Sequence, residues 1–182
     1  MPRFAAFLRG VNLGSRRRVG SAELRACFEG LGFEEVQTFR TSGNVVFDAG
    51  REARERLSAK IEKALAESLG YDVVVFLRTA PELQAIAEHR PFPAKLVEAS
   101  KGKVQVSLLS GKPAAAARKR VLALASDTDR LAFGERELYW LPSGGTRDSD
   151  LDGKAIERVL GPSTMRTKGT LELLAAKFFS DI

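Results

Sequence analysis

The sequence predicts an α+β protein built from two tandem ferredoxin-like (split βαβ) halves, followed by a C-terminal helix. Two observations support this fold class. The order strand, helix, strand, strand, helix, strand occurs twice along the 182 residues, and in each half the two middle strands are joined by a hairpin signal. The last segment adds a helix whose apolar residues fall on one stripe.

The first half begins with a short apolar run, which is typical of a strand. A helix follows, because Leu24, Phe28 and Leu31 recur at helical spacing after Ser21, a residue type that caps helices. A longer apolar stripe ends at Gly70, a helix stop signal. The predicted elements of this half are strands at 3–9, 35–41, 44–48 and 71–77, with helices at 21–31 and 51–69.

The second half opens with a capping box, in which Thr79 is followed by Glu82 three residues later. The short helix that it starts ends near His89, where a Pro-rich stretch interrupts the pattern. The remaining predicted elements are strands at 103–109, 130–133, 137–141 and 163–166, with helices at 112–125, 154–160 and 170–179.

Three segments follow from this order: an N-terminal half at 1–78, a connecting helix and linker at 79–102, and a C-terminal half at 103–182. The first strand is apolar on both faces, since Phe4, Ala6 and Leu8 alternate with Ala5 and Phe7. A sheet that packs helices on one side leaves its other face polar. We therefore expect the second face to be covered by the other half or by a partner chain.

Composition excludes several classes of protein. One Cys and one His rule out a disulfide framework, a multi-cysteine metal site and a two-histidine metal motif. No stretch approaches the roughly 20 apolar residues that span a bilayer, and the apolar run at the N-terminus is too short for a signal peptide. We expect a cytoplasmic protein with no membrane contact, no metal and no cofactor.

Three stretches resemble a bacterial family, a domain of unknown function with the opening signature LRGINVGG. They are LRGVNLG at Leu8–Gly14, SGNVVF at Ser42–Phe47 and TMRTKGTLELL at Thr164–Leu174. The resemblance implies a cytoplasmic bacterial protein with two ferredoxin-like halves, and it implies no activity. Two positions depart from the family pattern: Thr167 stands where Asn is usual, and Ser149-Asp150-Leu151 replaces a Ser-Lys-Leu-like stretch.

The Gly-rich loop from Gly10 to Ser21 is the strongest local feature. It joins a strand to a helix start, which favours anions, and its three consecutive arginines offer forked donors suited to phosphate. Residues 1–27 hold six Arg against one Glu, so +5 of the net charge of +6 lies there. The loop is neither a Walker A loop nor a dinucleotide fingerprint. A solvated Arg run remains the alternative.

Polar residues near the hairpin turn and the C-terminal motif complete the candidate site. Ser42-Gly43-Asn44 fits a turn, or else these residues lie beside the basic loop at one edge of the sheet and form a polar pocket. The candidate ligand-binding residues are Arg9, Asn12, Arg16, Arg17, Arg18, Arg40, Ser42, Asn44 and Arg166. Asp148, Asp150 and Asp152 spell the front half of a calcium loop, but Val159 occupies the position of its bidentate Glu, so we expect helix capping instead.

The function expected from these features is binding of a phosphate-bearing or anionic ligand, with nucleotides and RNA among the candidates. One alternative is a metal-independent enzyme acting on a small polar metabolite, for which the sequence identifies no catalytic residue. The other is a structural module that dimerises through its second sheet face. The expected state is a monomer or a homodimer.

Overall fold

The computed structural model describes residues 1–11, 18–40 and 43–180. Within them the chain forms eight β-strands and seven α-helices, and the strands make two four-stranded antiparallel sheets. The α+β class predicted from the sequence is confirmed. The chain divides into two compact units, Met1–Leu83 with Leu174–Ile182, and Gln84–Leu173.

The first unit contains the first sheet and its helices. Its elements are β1 (Arg3–Arg9), α1 (Ser21–Glu29), β2 (Glu34–Thr38), β3 (Asn44–Asp48), α2 (Arg54–Leu69) and β4 (Val74–Thr79). The strand order is β2-β3-β1-β4, and all three neighbouring pairs are antiparallel. The hairpin expected between β2 and β3 is confirmed.

One face of this sheet packs against α1 and α2. Phe4, Ala6 and Leu8 of β1 join the helix residues in one buried cluster, in which the Phe47 ring lies 4.7 Å from the Phe33 ring centroid. The opposite face of β1 is equally buried, because Ala5 and Phe7 are both 0% exposed. The second face of β1 is therefore buried, and its coverage by the other half or by a partner chain stays a prediction.

The second unit contains the second sheet. Its elements are α4 (Ala94–Ala99), β5 (Gln105–Leu109), α5 (Ala115–Leu122), β6 (Asp129–Phe133), β7 (Glu137–Pro142), a 3-10 turn (Thr146–Asp148), α6 (Gly153–Leu160) and β8 (Ser163–Thr167). The strand order β6-β7-β5-β8 repeats that of the first sheet, again with antiparallel neighbours. α3 (Ala80–Glu88) and α7 (Lys168–Phe178) each contain residues of both units.

Some local predictions are confirmed and others are wrong. The capping box is confirmed, because Glu82 Oε2 accepts a hydrogen bond of 2.8 Å from the Thr79 backbone N–H at the start of α3. The helix α4 was not expected, since the sequence placed a linker there. Ser21 does not cap α1: the N-cap is Gly20, and Ser21 is the first helical residue.

Among the described residues, no helix is both long enough and apolar enough to cross a membrane.

Candidate functional site

A cavity of ≈ 490 Å³ opens in the first unit beside the start of α1 and the β2–β3 hairpin. The hairpin brings the end of β2 next to the segment that leads into α1, so residues far apart in sequence share one wall. The described residues that line the cavity are Arg18, Val19, Gly20, Ser21, Leu24, Thr38, Arg40 and Gly43.

The start of α1 lines one side of the cavity. Gly20, the N-cap, is extended with φ −72° and ψ 154° and offers no side chain to cap the helix. The first intrahelical hydrogen bond runs from Leu24 N–H to the Gly20 carbonyl at 3.1 Å. The backbone N–H groups before Leu24 in this first turn therefore have no acceptor within the helix. Such a turn carries a partial positive charge that attracts anions, although Glu23 in the same turn offsets part of it.

Among the described residues that line the cavity, Arg18 and Arg40 supply the formal charge. Both side chains are exposed, and neither forms an ion pair or a hydrogen bond with any residue in the described ranges. The Arg40 guanidinium carbon lies 5.5 Å from the centroid of the Phe39 ring. Since the described lining contains no carboxylate, the two guanidinium groups leave this cavity with a net positive charge.

Gly43 also lines the cavity and packs closely against Val11. Its φ is +78°, and a Cβ built on it would lie 2.7 Å from Val11 Cγ2. Its carbonyl accepts a hydrogen bond of 2.9 Å from Leu8 N–H, which fixes the turn against the end of β1. Only glycine combines this conformation with this approach, so the turn interpretation of the sequence is correct at Gly43.

Asn44 holds the hairpin from inside. It is 0% exposed, and its Nδ2 donates to the Phe39 carbonyl at 2.9 Å. The backbone N–H of Phe39 also donates to the Asn44 carbonyl, at 3.0 Å. The side-chain amide therefore braces the two strands where they meet the cavity.

The other candidate residues do not all reach this cavity. Arg9 is half-buried at the end of β1, opposite Val74 of β4. Asn12, Arg16, Arg17 and Ser42 lie outside the described residues.

Arg166 belongs to the second unit and is 9% exposed in β8. Its Nη1 donates to Thr164 Oγ1 at 2.7 Å and to the Met165 carbonyl at 2.9 Å. Burial lowers the pKa of Arg166 to about 10, which still leaves it charged at neutral pH. Of the predicted arginines that the structure describes, Arg18 and Arg40 line the cavity of the first unit.

A second, smaller cavity of ≈ 160 Å³ lies in the second unit, lined in part by Asp129, Asp148 and Ser149. Asp129 is 4% exposed, and its Oδ1 accepts hydrogen bonds from Trp140 Nε1 at 2.9 Å and from Ser149 Oγ at 2.6 Å. Trp140 is accordingly a core residue. No local sequence pattern singles out Asp129, because its partners are eleven and twenty residues away.

The acidic stretch at residues 148–152 provides the cap of the helix that follows it in the sequence. Asp152 is the N-cap of α6, and its Oδ1 accepts a hydrogen bond of 3.0 Å from Ala155 N–H. The capping expectation is confirmed for this residue. Within the described part of the chain, no three His, Cys, Asp or Glu side chains are grouped so that they could hold a metal ion.

Two comparisons place the chain among known proteins. A solved structure, the conserved bacterial protein SP0830 from Streptococcus pneumoniae, is similar with a TM-score of 0.71 and 21% identity, over 96% of this chain and 97% of that one. This likeness concerns the fold alone. No curated protein matches the sequence. The family described as "Protein of unknown function (DUF1697)" matches residues 1–139, and this chain belongs to it.

Proposed function

We propose that this protein binds a small anionic ligand, most simply one with a phosphate group, in the cavity of its first unit. One observation carries the proposal. Arg18, Arg40 and the first turn of α1, which has no side-chain cap, line the same cavity. Guanidinium forks and helix N-termini both bind phosphate oxygens in proteins.

The cavity suits a small molecule better than a polynucleotide. Its ≈ 490 Å³ falls within the roughly 300–1,000 Å³ of small-ligand pockets. Val19 and Leu24 add apolar surface beside the charges, which an uncharged part of the ligand would cover. Binding of RNA would instead use an open basic surface with several phosphate contacts.

Binding is a better description than catalysis for this cavity. A hydrolase or transferase needs a general base, for which a His or a carboxylate with a raised pKa is the usual choice. The described lining contains neither, and its polar side chains are two guanidinium and two hydroxyl groups. These groups orient and neutralise an anion without taking a proton from it.

The strand order supports a closer fold assignment as part of the same proposal. In both sheets the first and third strands of the unit are central and the second and fourth are at the edges. This antiparallel order with split βαβ connections is that of the ferredoxin-like fold, which we infer for each unit. We keep the bacterial cytoplasm as the proposed location, which cell fractionation would test.

Titration calorimetry with inorganic phosphate, pyrophosphate and a nucleoside monophosphate tests the proposal. Replacing Arg18 or Arg40 by Ala should weaken binding about five- to thirtyfold, because a charge-assisted hydrogen bond contributes about 1–2 kcal/mol at an exposed site. Added salt should weaken binding further, since the charges are open to solvent.

Arg56→Ala is the matched control. Arg56 is exposed on α2 and does not line the cavity, so its loss removes the same charge at another place. The proposal is wrong if the wild-type protein binds none of the three anions, or if Arg56→Ala weakens binding as much as Arg40→Ala. Tight binding of single-stranded RNA without binding of the small anions would replace it with a nucleic-acid function.

A further inference from the structure

The ring of Phe39 contacts the side chain of the next residue, Arg40, and also two side chains of α7. The ring centroid is 5.5 Å from the Arg40 guanidinium carbon and 5.9 Å from the centroid of the Phe178 ring, which meets it edge-on at 86°. The ammonium of Lys177 lies 5.9 Å from the same centroid. A single half-buried ring thus contacts the cavity arginine and the end of α7 within the first unit.

The backbone around this ring is held on both sides. Phe39 donates to the Asn44 carbonyl at 3.0 Å and accepts from Asn44 Nδ2 at 2.9 Å. The next residue, Arg40, has φ +59°, in the left-handed region that non-glycine residues seldom adopt. The direction in which the Arg40 side chain leaves the hairpin is therefore fixed by Phe39 and Asn44.

A ring is a suitable support for a ligand-binding arginine. An exposed Arg side chain has many rotamers, and binding an anion requires it to give up most of them. A cation–π contact restricts the guanidinium without using any of its N–H donors, which stay available to an anion. A carboxylate partner would restrict it equally well but would compete with the ligand for the same donors.

We propose that Phe39 is a positioning residue of the anion site: its ring holds the Arg40 guanidinium at the cavity, and Phe178 of α7 holds the ring. This inference rests on the proposed function, because it gives Phe39 a role only if Arg40 binds the ligand. It adds the C-terminal helix to the elements on which ligand affinity depends.

A double-mutant cycle tests the inference, with pyrophosphate as the probe. Phe39→Leu should weaken binding about two- to fivefold, the size of an exposed cation–π contact, while Phe39→Tyr stays near wild type. In the Arg40→Ala background, Phe39→Leu should have no further effect. In the Arg18→Ala background it should keep its full effect, because Arg18 does not touch the ring.

A readout without ligand separates positioning from general packing. The Arg40 side-chain protons should show a ring-current shift in the NMR spectrum, which Phe39→Leu removes and Phe39→Tyr keeps. If Phe39→Leu does not fold, Phe178→Leu replaces it and should weaken binding in the same Arg40-dependent way, because the Phe39 ring loses its edge contact.

The outcomes distinguish the two proposals. If wild type binds none of the tested anions, the proposed function fails, and Phe39 loses its role with it. If wild type binds and Arg40→Ala weakens binding, but Phe39→Leu has no effect, only the positioning role is overturned. Equal loss from Phe39→Leu with and without Arg40 also overturns it, since the effect would then come from packing alone.

Discussion

Glu82 connects three elements of the first unit, and its replacement by Gln should measurably destabilise the fold. Its Oε1 accepts a hydrogen bond of 2.5 Å from Arg54 Nη2 at the start of α2, while its Oε2 accepts one of 2.8 Å from Thr79 N–H at the end of β4. Arg54 also donates to the Leu77 carbonyl at 2.8 Å. A neutral amide of the same shape can satisfy one of the two donors but not both.

The size of the effect follows from these contacts. A hydrogen bond between charged groups contributes about 1.5–3 kcal/mol, but the two side chains are 23% and 30% exposed, so solvent screens part of it. We therefore expect Glu82→Gln to cost about 1–2 kcal/mol at pH 7. For a chain of this length that lowers the melting temperature by roughly 3–6 °C.

The same network predicts a pH dependence. Burial by itself raises the pKa of Glu82, but the hydrogen bonds from Arg54 and Thr79 outweigh it and lower the pKa below its ordinary 4.5. A lowered pKa in the folded state means that the carboxylate stabilises the fold above the pKa of the unfolded chain. This contribution is lost as the pH falls through the lower, folded value.

Urea unfolding of wild type and Glu82→Gln at pH 7 and at pH 3, followed by circular dichroism, measures both effects. The two proteins should differ at pH 7, and the difference between them should be smaller at pH 3, because protonation of the Glu82 carboxylate removes its contribution. Glu67→Gln is the control, because Glu67 is exposed on the same helix as Arg54 and has no hydrogen bond within the described residues. A difference that stays constant across this range, or a control that loses as much, would refute the reasoning.

Two further predictions concern buried contacts. Asp129→Ala leaves the donors of Trp140 and Ser149 without their acceptor, so we expect a loss of about 2–4 kcal/mol and a red shift in emission of the single Trp; unchanged emission and melting temperature would contradict it. Gly43→Ala should cost about 1–3 kcal/mol in thermal unfolding, because its φ is +78° and a Cβ would approach Val11 Cγ2 to 2.7 Å. Gly50→Ala, where a Cβ meets nothing within 4 Å, should be nearly neutral, and equal losses at both glycines would count against this explanation.

Local pattern was sufficient where an element has a sharp apolar run and a clear boundary. The limits of β1 and β3 coincide with the predicted ranges, because each is a continuous buried run next to a polar turn. The helix α4 was missed for the opposite reason. It is six residues long and has no buried residue, so it lacks the apolar stripe from which helices are recognised.

The candidate site was predictable only in its charge. Arginines and a helix start can be read along the chain, but a cavity depends on which segments the fold brings together. Thr38 lines it because β2 ends beside α1, and that proximity appears only once strand pairing is known. The supporting ring of Phe39 gave no signal for the same reason, since its partner Phe178 lies near the other end of the chain.

The arginine excess of the first 27 residues is divided between structural and available groups. Arg3 stabilises the fold, since its Nε donates to Asp48 Oδ1 at 2.8 Å and its Nη1 donates to the Phe178 carbonyl at 3.0 Å. Arg25 faces Glu29 one turn along α1, at 3.8 Å. Arg18 lines the cavity and adds its charge there. Arg40, which lies outside these 27 residues, adds a second charge to the same lining. Among the described arginines, Arg18 and Arg40 are therefore the two on which affinity for an anion should depend most strongly.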